Sequence, residues 1–195
     1  MAIKAVIFDL DGTITEPYFD FDGIRAEMGL GSDAGPVWEA MEKMDAKQRR
    51  RAEEILHYHE QKAIEESGLN AGVKESLSRL RKLGIFIGIL TRNKASNAMA
   101  VGEKHGLEFD KVIGREDGPV KPDAFGVKYL CEQFGVRAEE ALVVGDYLFD
   151  LLCAREAGVM GVLLCNHARA NEFAEYADFR IKKIEEIVEI VKKIQ

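Results

Sequence analysis

The stretch "FDLDGT", residues 8 to 13, carries an apolar run into two carboxylates separated by one leucine. Residues i and i+2 of a strand share a face, so Asp9 and Asp11 would address one point in space while Leu10 turns inward. Carboxylates this close repel, and they are tolerated mainly where a cation or a shared proton compensates. The competing explanation is an Asx-rich turn, with Gly12 supplying a permissive backbone and Thr13 a local hydroxyl hydrogen bond.

Three later stretches add groups of matching chemistry. In "ILTRNKAS", the hydroxyl of Thr91 and the backbone N–H groups of Arg92 and its neighbours suit a phosphate oxygen, although Thr91 or Asn93 capping a helix explains the same text. In "GPVKPDAF", two near-adjacent prolines restrict the backbone around Lys121 and aim its ammonium. A solvated lysine before a helix is the ordinary alternative. In "LVVGDYLFDLL", Gly145 precedes Asp146, and Asp150 follows four residues later, where one of the two acids could simply cap a helix. If the strands carrying these motifs are neighbours, four acids and a lysine converge.

The elements that must position these residues are legible. Short continuous apolar runs recur at 3–8, 85–90, 111–114, 141–145 and 161–165, the pattern of strands buried on both faces. Stretches of helical period separate them: Val73, Leu77 and Leu80; Phe125, Tyr129 and Leu130; Leu151, Ala154 and Ala157. This alternation predicts an α/β fold with a mostly parallel sheet and right-handed crossovers. "FRIK" (179–182) reads as an edge strand, followed by a helix with Ile184, Ile187, Val188, Val191 and Ile194 on one face. From Glu16 to Asn70 there is only helical text, in which Ala52, Leu56, His59 and Ala63 fall on one side and His59 reads as a core histidine. A helical unit inserted after the first strand accounts for this, giving a core of residues 1–15 and 71–195 and an insertion of 16–70. Such an insertion would lie over the carboxyl ends of the strands, where open α/β sheets bind ligands.

Composition excludes several classes. The 195 residues carry 27 Lys and Arg against 34 Asp and Glu, a net charge of −7, which argues against a nucleic-acid or acidic-membrane binder. Cys131, Cys153 and Cys165 match neither a disulfide framework nor a zinc site and read as small core residues. The start shows no cleavage-site pattern and no run approaches the length of a bilayer span, so the expected setting is cytoplasmic.

The four motifs, each at or just beyond the carboxyl end of a predicted strand, together resemble those of the haloacid dehalogenase-like (HAD) hydrolase superfamily. The first, D-x-D-G-T, stands as Asp9 to Thr13; the second is Thr91; the third is Lys121 in K-P-D; the fourth is Gly145, Asp146 and Asp150. The insertion looks like the small helical cap of subclass I, on a Rossmann-like, doubly wound parallel sheet, with phosphoglycolate phosphatase as the nearest type. The resemblance implies Mg²⁺-dependent hydrolysis of a small phosphomonoester, phosphoglycolate-like or a sugar phosphate, through an aspartyl-phosphate. Asp9 would be nucleophile and metal ligand, and Asp11 the acid and base, offering its backbone carbonyl to the metal. Asp146 would be a further metal ligand, with Asp150 supporting the metal shell or orienting Lys121. Lys121, Thr91, Arg92 and the N–H groups of Leu10 and Asp11 would hold the phosphoryl oxygens.

Rival chemistries are weighed at single positions. Halide release needs no proton, so Asp11 argues for an oxygen leaving group; phosphonate cleavage in the related branch lacks this second aspartate. A phosphomutase keeps all four motifs, and a non-catalytic phosphate-binding module would have lost one. For the substrate, the run "KQRRR" (47–51) could attract a second anion or be a solvated helix face. Arg92, whose backbone already belongs to the site, is the stronger candidate for substrate contact. Oligomeric state is not encoded in any of these features.

Overall fold

A computed structural model describes residues 2–194. Six parallel strands form one sheet: β1 (Ala5–Phe8), β2 (Phe86–Leu90), β3 (Lys111–Ile113), β4 (Ala141–Gly145), β5 (Met160–Leu164) and β6 (Phe179–Ile181), in the spatial order β3-β2-β1-β4-β5-β6. Every side chain of β1 and β4 is buried, as strands covered by helices on both faces require. Each fully buried Val, Ile, Leu or Phe contributes about 1.5–3 kcal/mol relative to an exposed one, so the central strands are the part least able to shift. The edge position expected of residues 179–182 is occupied by β6.

The chain runs outward from β1 through β2 to β3, then returns to the other side of β1 and runs from β4 to β6. The reversal falls between β1 and β4, and at such a point the connections leaving the two strands part and open a crevice at their carboxyl ends. The crossover segments hold α4 (Val73–Lys82), α5 (Ala95–His105), α6 (Phe125–Phe134) and α7 (Leu148–Ala157). Gly106, Gly135 and Gly158 end three of these helices in the left-handed conformation. The last helix, Glu186–Ile194, buries Ile187, Val188 and Val191 along one stripe. Cys131 and Cys153 lie in the apolar core beside β1 and β4, and Cys165 is half-buried; all three are free thiols.

By its contacts the chain divides into two units, one comprising residues up to Pro17 together with Gly68 onward, the other Tyr18–Ser67. The second holds α1 (Phe21–Glu27), α2 (Val37–Glu42) and α3 (Ala46–Glu66) around a small cluster of Ile24, Val37, Met41, Ala52 and Leu56. Asp45 and Gln48 form a reciprocal capping box that starts α3. The "KQRRR" run is therefore the first turn and a half of that helix. Lys47, Arg50 and Arg51 are exposed, and Arg49 pairs with Glu53 at 3.1 Å. His59 departs from its expected place in the core: it is half-buried and its Nε2 lies 3.1 Å from Glu27, while Glu60 is the buried residue. The apolar cluster ends at Leu56, so the turn beyond it reaches a polar edge that helical period alone cannot foresee.

In the first unit the legs on either side of the insertion pair with each other. Glu16 N–H donates to the Gly68 carbonyl at 3.0 Å, Asn70 N–H donates to the Ile14 carbonyl at 3.1 Å, and Thr15 bridges Leu69 in antiparallel fashion. Among the described residues, no helix is long and apolar enough to cross a membrane.

Candidate active site

The carboxyl ends of β1, β2 and β4 are adjacent, and they carry the residues singled out in the sequence. Asp9 follows β1, with its N–H donating to the Val144 carbonyl at 2.9 Å. Thr91 follows β2, and Asp146 follows β4. Asp150 lies in the first turn of α7, and Lys121 in the segment entering α6, where its peptide bond to Pro122 is cis.

Four of these side chains form one buried ionic cluster. The Lys121 ammonium, 4% exposed, donates to Asp9 Oδ1 at 2.5 Å and to Asp150 Oδ1 at 2.7 Å. Asp150 Oδ2 accepts from the Tyr147 N–H at 3.1 Å, so this acid both caps α7 and directs the lysine. Gly145 leaves room for it: a Cβ there would meet the Asp150 side chain at 2.1–2.3 Å. Burial pushes the Asp9 carboxyl up to about 7; Lys121 opposes that rise, and Asp150 and Asp146 add to it. Asp146 is likewise pushed up to about 7, by burial and then by Asp150, against the Thr13 hydrogen bond and Lys121. For Lys121, burial works against the ammonium, but Asp150 and Asp9 outweigh it and hold the group above its ordinary value.

The first motif differs from its expected geometry in one respect. β1 closes at Phe8, so strand alternation does not set the direction of Asp11. Instead the N–H groups of Thr13, Ile14 and Thr15 all turn back onto the Leu10 carbonyl, at 3.3, 2.9 and 2.9 Å, and Leu10 itself is fully buried. Asp11 is half-buried and accepts from Asn93 Nδ2 at 3.4 Å. Thr13 donates to Asp146 Oδ1 at 3.1 Å, tying the turn to β4. Gly12 has φ +91°, and a Cβ on it would stand 2.7 Å from Asp146 Oδ2. Both the left-handed backbone and the close approach require glycine there.

Thr91, 3% exposed, accepts the Asn93 N–H on its hydroxyl oxygen at 2.9 Å. Asn93 in turn accepts from Lys94 N–H and Asn97 Nδ2, both at 2.8 Å. Arg92 is half-buried. Its guanidinium donates to the Lys121 carbonyl at 2.5 Å and lies over the Phe149 ring at 4.7 Å, so one of its tasks is to hold the lysine segment.

Asp9, Asp146 and Asp150 offer oxygens within 4.8 Å of one another. Three hard oxygen donors, two of them pushed up to about 7 by burial and the neighbouring acids, fit a small divalent cation such as Mg²⁺. The Asp11 carboxylate stands outside that trio.

Two contributors carried no sequence signal. Asn70 donates through Nδ2 to the carbonyls of Gly12, Thr13 and Thr15, at 3.0, 2.9 and 2.9 Å. Asn166 donates to the Gly12 carbonyl at 2.7 Å. Neither asparagine sits in a motif of recognisable spacing.

Comparison with known proteins finds relatives of the chain in sequence and in fold. The family described as haloacid dehalogenase-like hydrolase matches residues 28–164. An uncharacterized hydrolase of Saccharomyces cerevisiae is 28% identical, covering 99% of this chain and 91% of its own. A phosphoglycolate phosphatase of Pseudomonas syringae pv. tomato is 30% identical over 85% of this chain and 72% of its own. In fold, the crystal structure of a hydrolase from Pseudomonas syringae superposes with a TM-score of 0.83 at 19% identity, covering 98% of this chain and 99% of that one.

Proposed function

The chain belongs to the haloacid dehalogenase-like hydrolases, and from that premise we propose that it is a Mg²⁺-dependent phosphatase of small phosphomonoesters working through an aspartyl-phosphate. The observation that carries this reading is the Lys121 ammonium shared between Asp9 and Asp150 beside Asp146, all buried at the reversal of strand order. An ion cluster built for stability alone gains little over apolar packing, and it has no need to gather a surplus of acids at a ligand-binding crevice. The similarity to a phosphoglycolate phosphatase supports a small substrate in which phosphate is the principal anion.

In this mechanism Asp9 attacks phosphorus, and the bond between phosphorus and the alkoxide breaks as the new one forms, splitting hydrolysis into two displacements. Asp11 protonates the departing alkoxide and then takes a proton from the water that cleaves the phosphoryl-enzyme. Lys121, Thr91 and the N–H groups of Leu10, Asp11 and Arg92 hold the equatorial oxygens as charge shifts, each donor being worth about 3 kcal/mol in the transition state. Asp9, Asp146 and the Asp11 carbonyl would hold Mg²⁺, which when bound neutralises phosphoryl charge and keeps Asp9 ionised. Asp150 positions Lys121.

Phosphate release from para-nitrophenyl phosphate should require Mg²⁺ and stop on addition of EDTA. Release that is indifferent to both would overturn the metal assignment, and the absence of any release over a panel of small phosphomonoesters would overturn the activity.

Protein stability supplies a second test. Asp9 and Asp146 rise from 3.8 to about 7 on folding. The native state therefore binds more protons than the unfolded one between those values, and without a cation stability falls as pH rises across that window. Mg²⁺ should raise the thermal midpoint more at pH 8 than at pH 5. A shift that is equal or larger at pH 5 would contradict Asp9 and Asp146 as its ligands.

A further inference from the structure

We propose that Asn70 is a positioning residue for proton transfer, holding the turn that aims Asp11; the inference rests on the phosphatase reading above. Three successive N–H groups of the turn, from Thr13 to Thr15, are spent on the Leu10 carbonyl, which leaves the turn's own carbonyls to be satisfied from outside. One side chain does most of this: the amide nitrogen of Asn70 lies within 3.0 Å of the Gly12, Thr13 and Thr15 oxygens, sharing its two protons among three acceptors. The backbone of Asn70 adds a fourth link through the Ile14 carbonyl at 3.1 Å. Asn166 adds a further donor to the Gly12 carbonyl, at 2.7 Å.

Asp11 is joined directly to this clamped segment through Gly12, whose left-handed conformation leaves it the most permissive hinge in the stretch. With the carbonyls of residues 12, 13 and 15 held and Asp11 itself bridged to Thr15, the backbone that carries the half-buried Asp11 carboxyl is held with them. Asp9 is anchored independently, by Val144 and Lys121. Loss of the Asn70 amide should therefore disturb the proton carrier and leave the nucleophile in place.

That separation has a kinetic signature. An alkyl phosphomonoester needs its leaving oxygen protonated, whereas para-nitrophenolate leaves with little help. Asn70→Ala should lower kcat/KM, which reports the first displacement, roughly tenfold more for an alkyl phosphomonoester than for para-nitrophenyl phosphate, a fraction of the full value of a general acid. Any slowing of the second displacement, where Asp11 acts as base, is common to both substrates. Amide exchange at Thr13, Ile14 and Thr15 should quicken in the same variant. Asn70→Asp, of the same shape but without amide protons, should give the same leaving-group pattern, and it serves alone if the alanine variant does not fold. An equal loss of kcat/KM on both substrates, or no loss, overturns the proposal and leaves Asn70 a structural residue before α4. If the wild-type protein hydrolyses neither substrate, the phosphatase reading fails first.

Discussion

Asp9→Asn should lower turnover by roughly 10⁴-fold or more while leaving the fold intact, because the group removed forms the covalent bond and no neighbouring oxygen can take its place. Asp146 and Asp150 are already engaged by Thr13 and by Lys121 and Tyr147. Stability should move the other way. The variant deletes a buried carboxyl that burial and two neighbouring acids push up to about 7, while Lys121 keeps Asp150 at 2.7 Å. At pH 8 without Mg²⁺ the thermal midpoint should be at least that of the parent protein. Turnover within tenfold of the parent would refute the nucleophile assignment. A lowered midpoint at pH 8 would show instead that the Asp9 charge is a net stabiliser.

The second large effect is expected at Lys121. Lys121→Met preserves the length of the stem and removes the charge, leaving Asp9, Asp146 and Asp150 buried without a counter-ion. Removing one partner of a buried pair costs about 3–5 kcal/mol, equivalent to roughly 10 °C in a domain of this size. The loss should be greatest above pH 7, where Asp9 and Asp146 would be ionised, and should shrink toward pH 5 as those two take up protons. Mg²⁺ should restore part of the midpoint without restoring activity, because a cation answers the repulsion but not the missing phosphoryl donor. A penalty that is the same at pH 5 and pH 8 would mean that Lys121 acts by packing rather than by charge.

What could be read from the chain and what could not divide along a physical line. The continuous apolar runs that became β1 and β4 are legible because burial on both faces leaves no other composition open to them. Asp9, Thr91 and Asp146 are legible as a set because a parallel sheet brings the carboxyl ends of its strands to one edge, so order along the chain becomes proximity in space. The direction of Asp11 was not legible in this way. It is decided by a turn closing on the Leu10 carbonyl, and alternation along a strand has nothing to say beyond Phe8. Asn70 and Asn166 were silent because an asparagine in a connection is ordinary text; their meaning comes from carbonyls 58 and 154 positions away. His59 lies outside the core expected of it because helical period gives the face of a helix but not where the neighbouring apolar cluster stops. Arg92, read as a substrate contact, has a guanidinium that grips the Lys121 carbonyl, a partner visible only once the two loops are side by side.

The two paired legs at Glu16–Gly68 and Ile14–Asn70 also bear on how such a chain can change. Because the exit and the return are already zipped together, everything between Tyr18 and Ser67 is a closed excursion from a fixed doorway. The entropic cost of closing such an excursion grows only with the logarithm of its length, about 0.6 kcal/mol for each doubling. Helices can thus be added to it, lost or exchanged while β1, the turn after Asp11 and α4 keep their places. The doorway lets the length of the excursion vary without disturbing the strand ends that carry Asp9, Thr91 and Asp146.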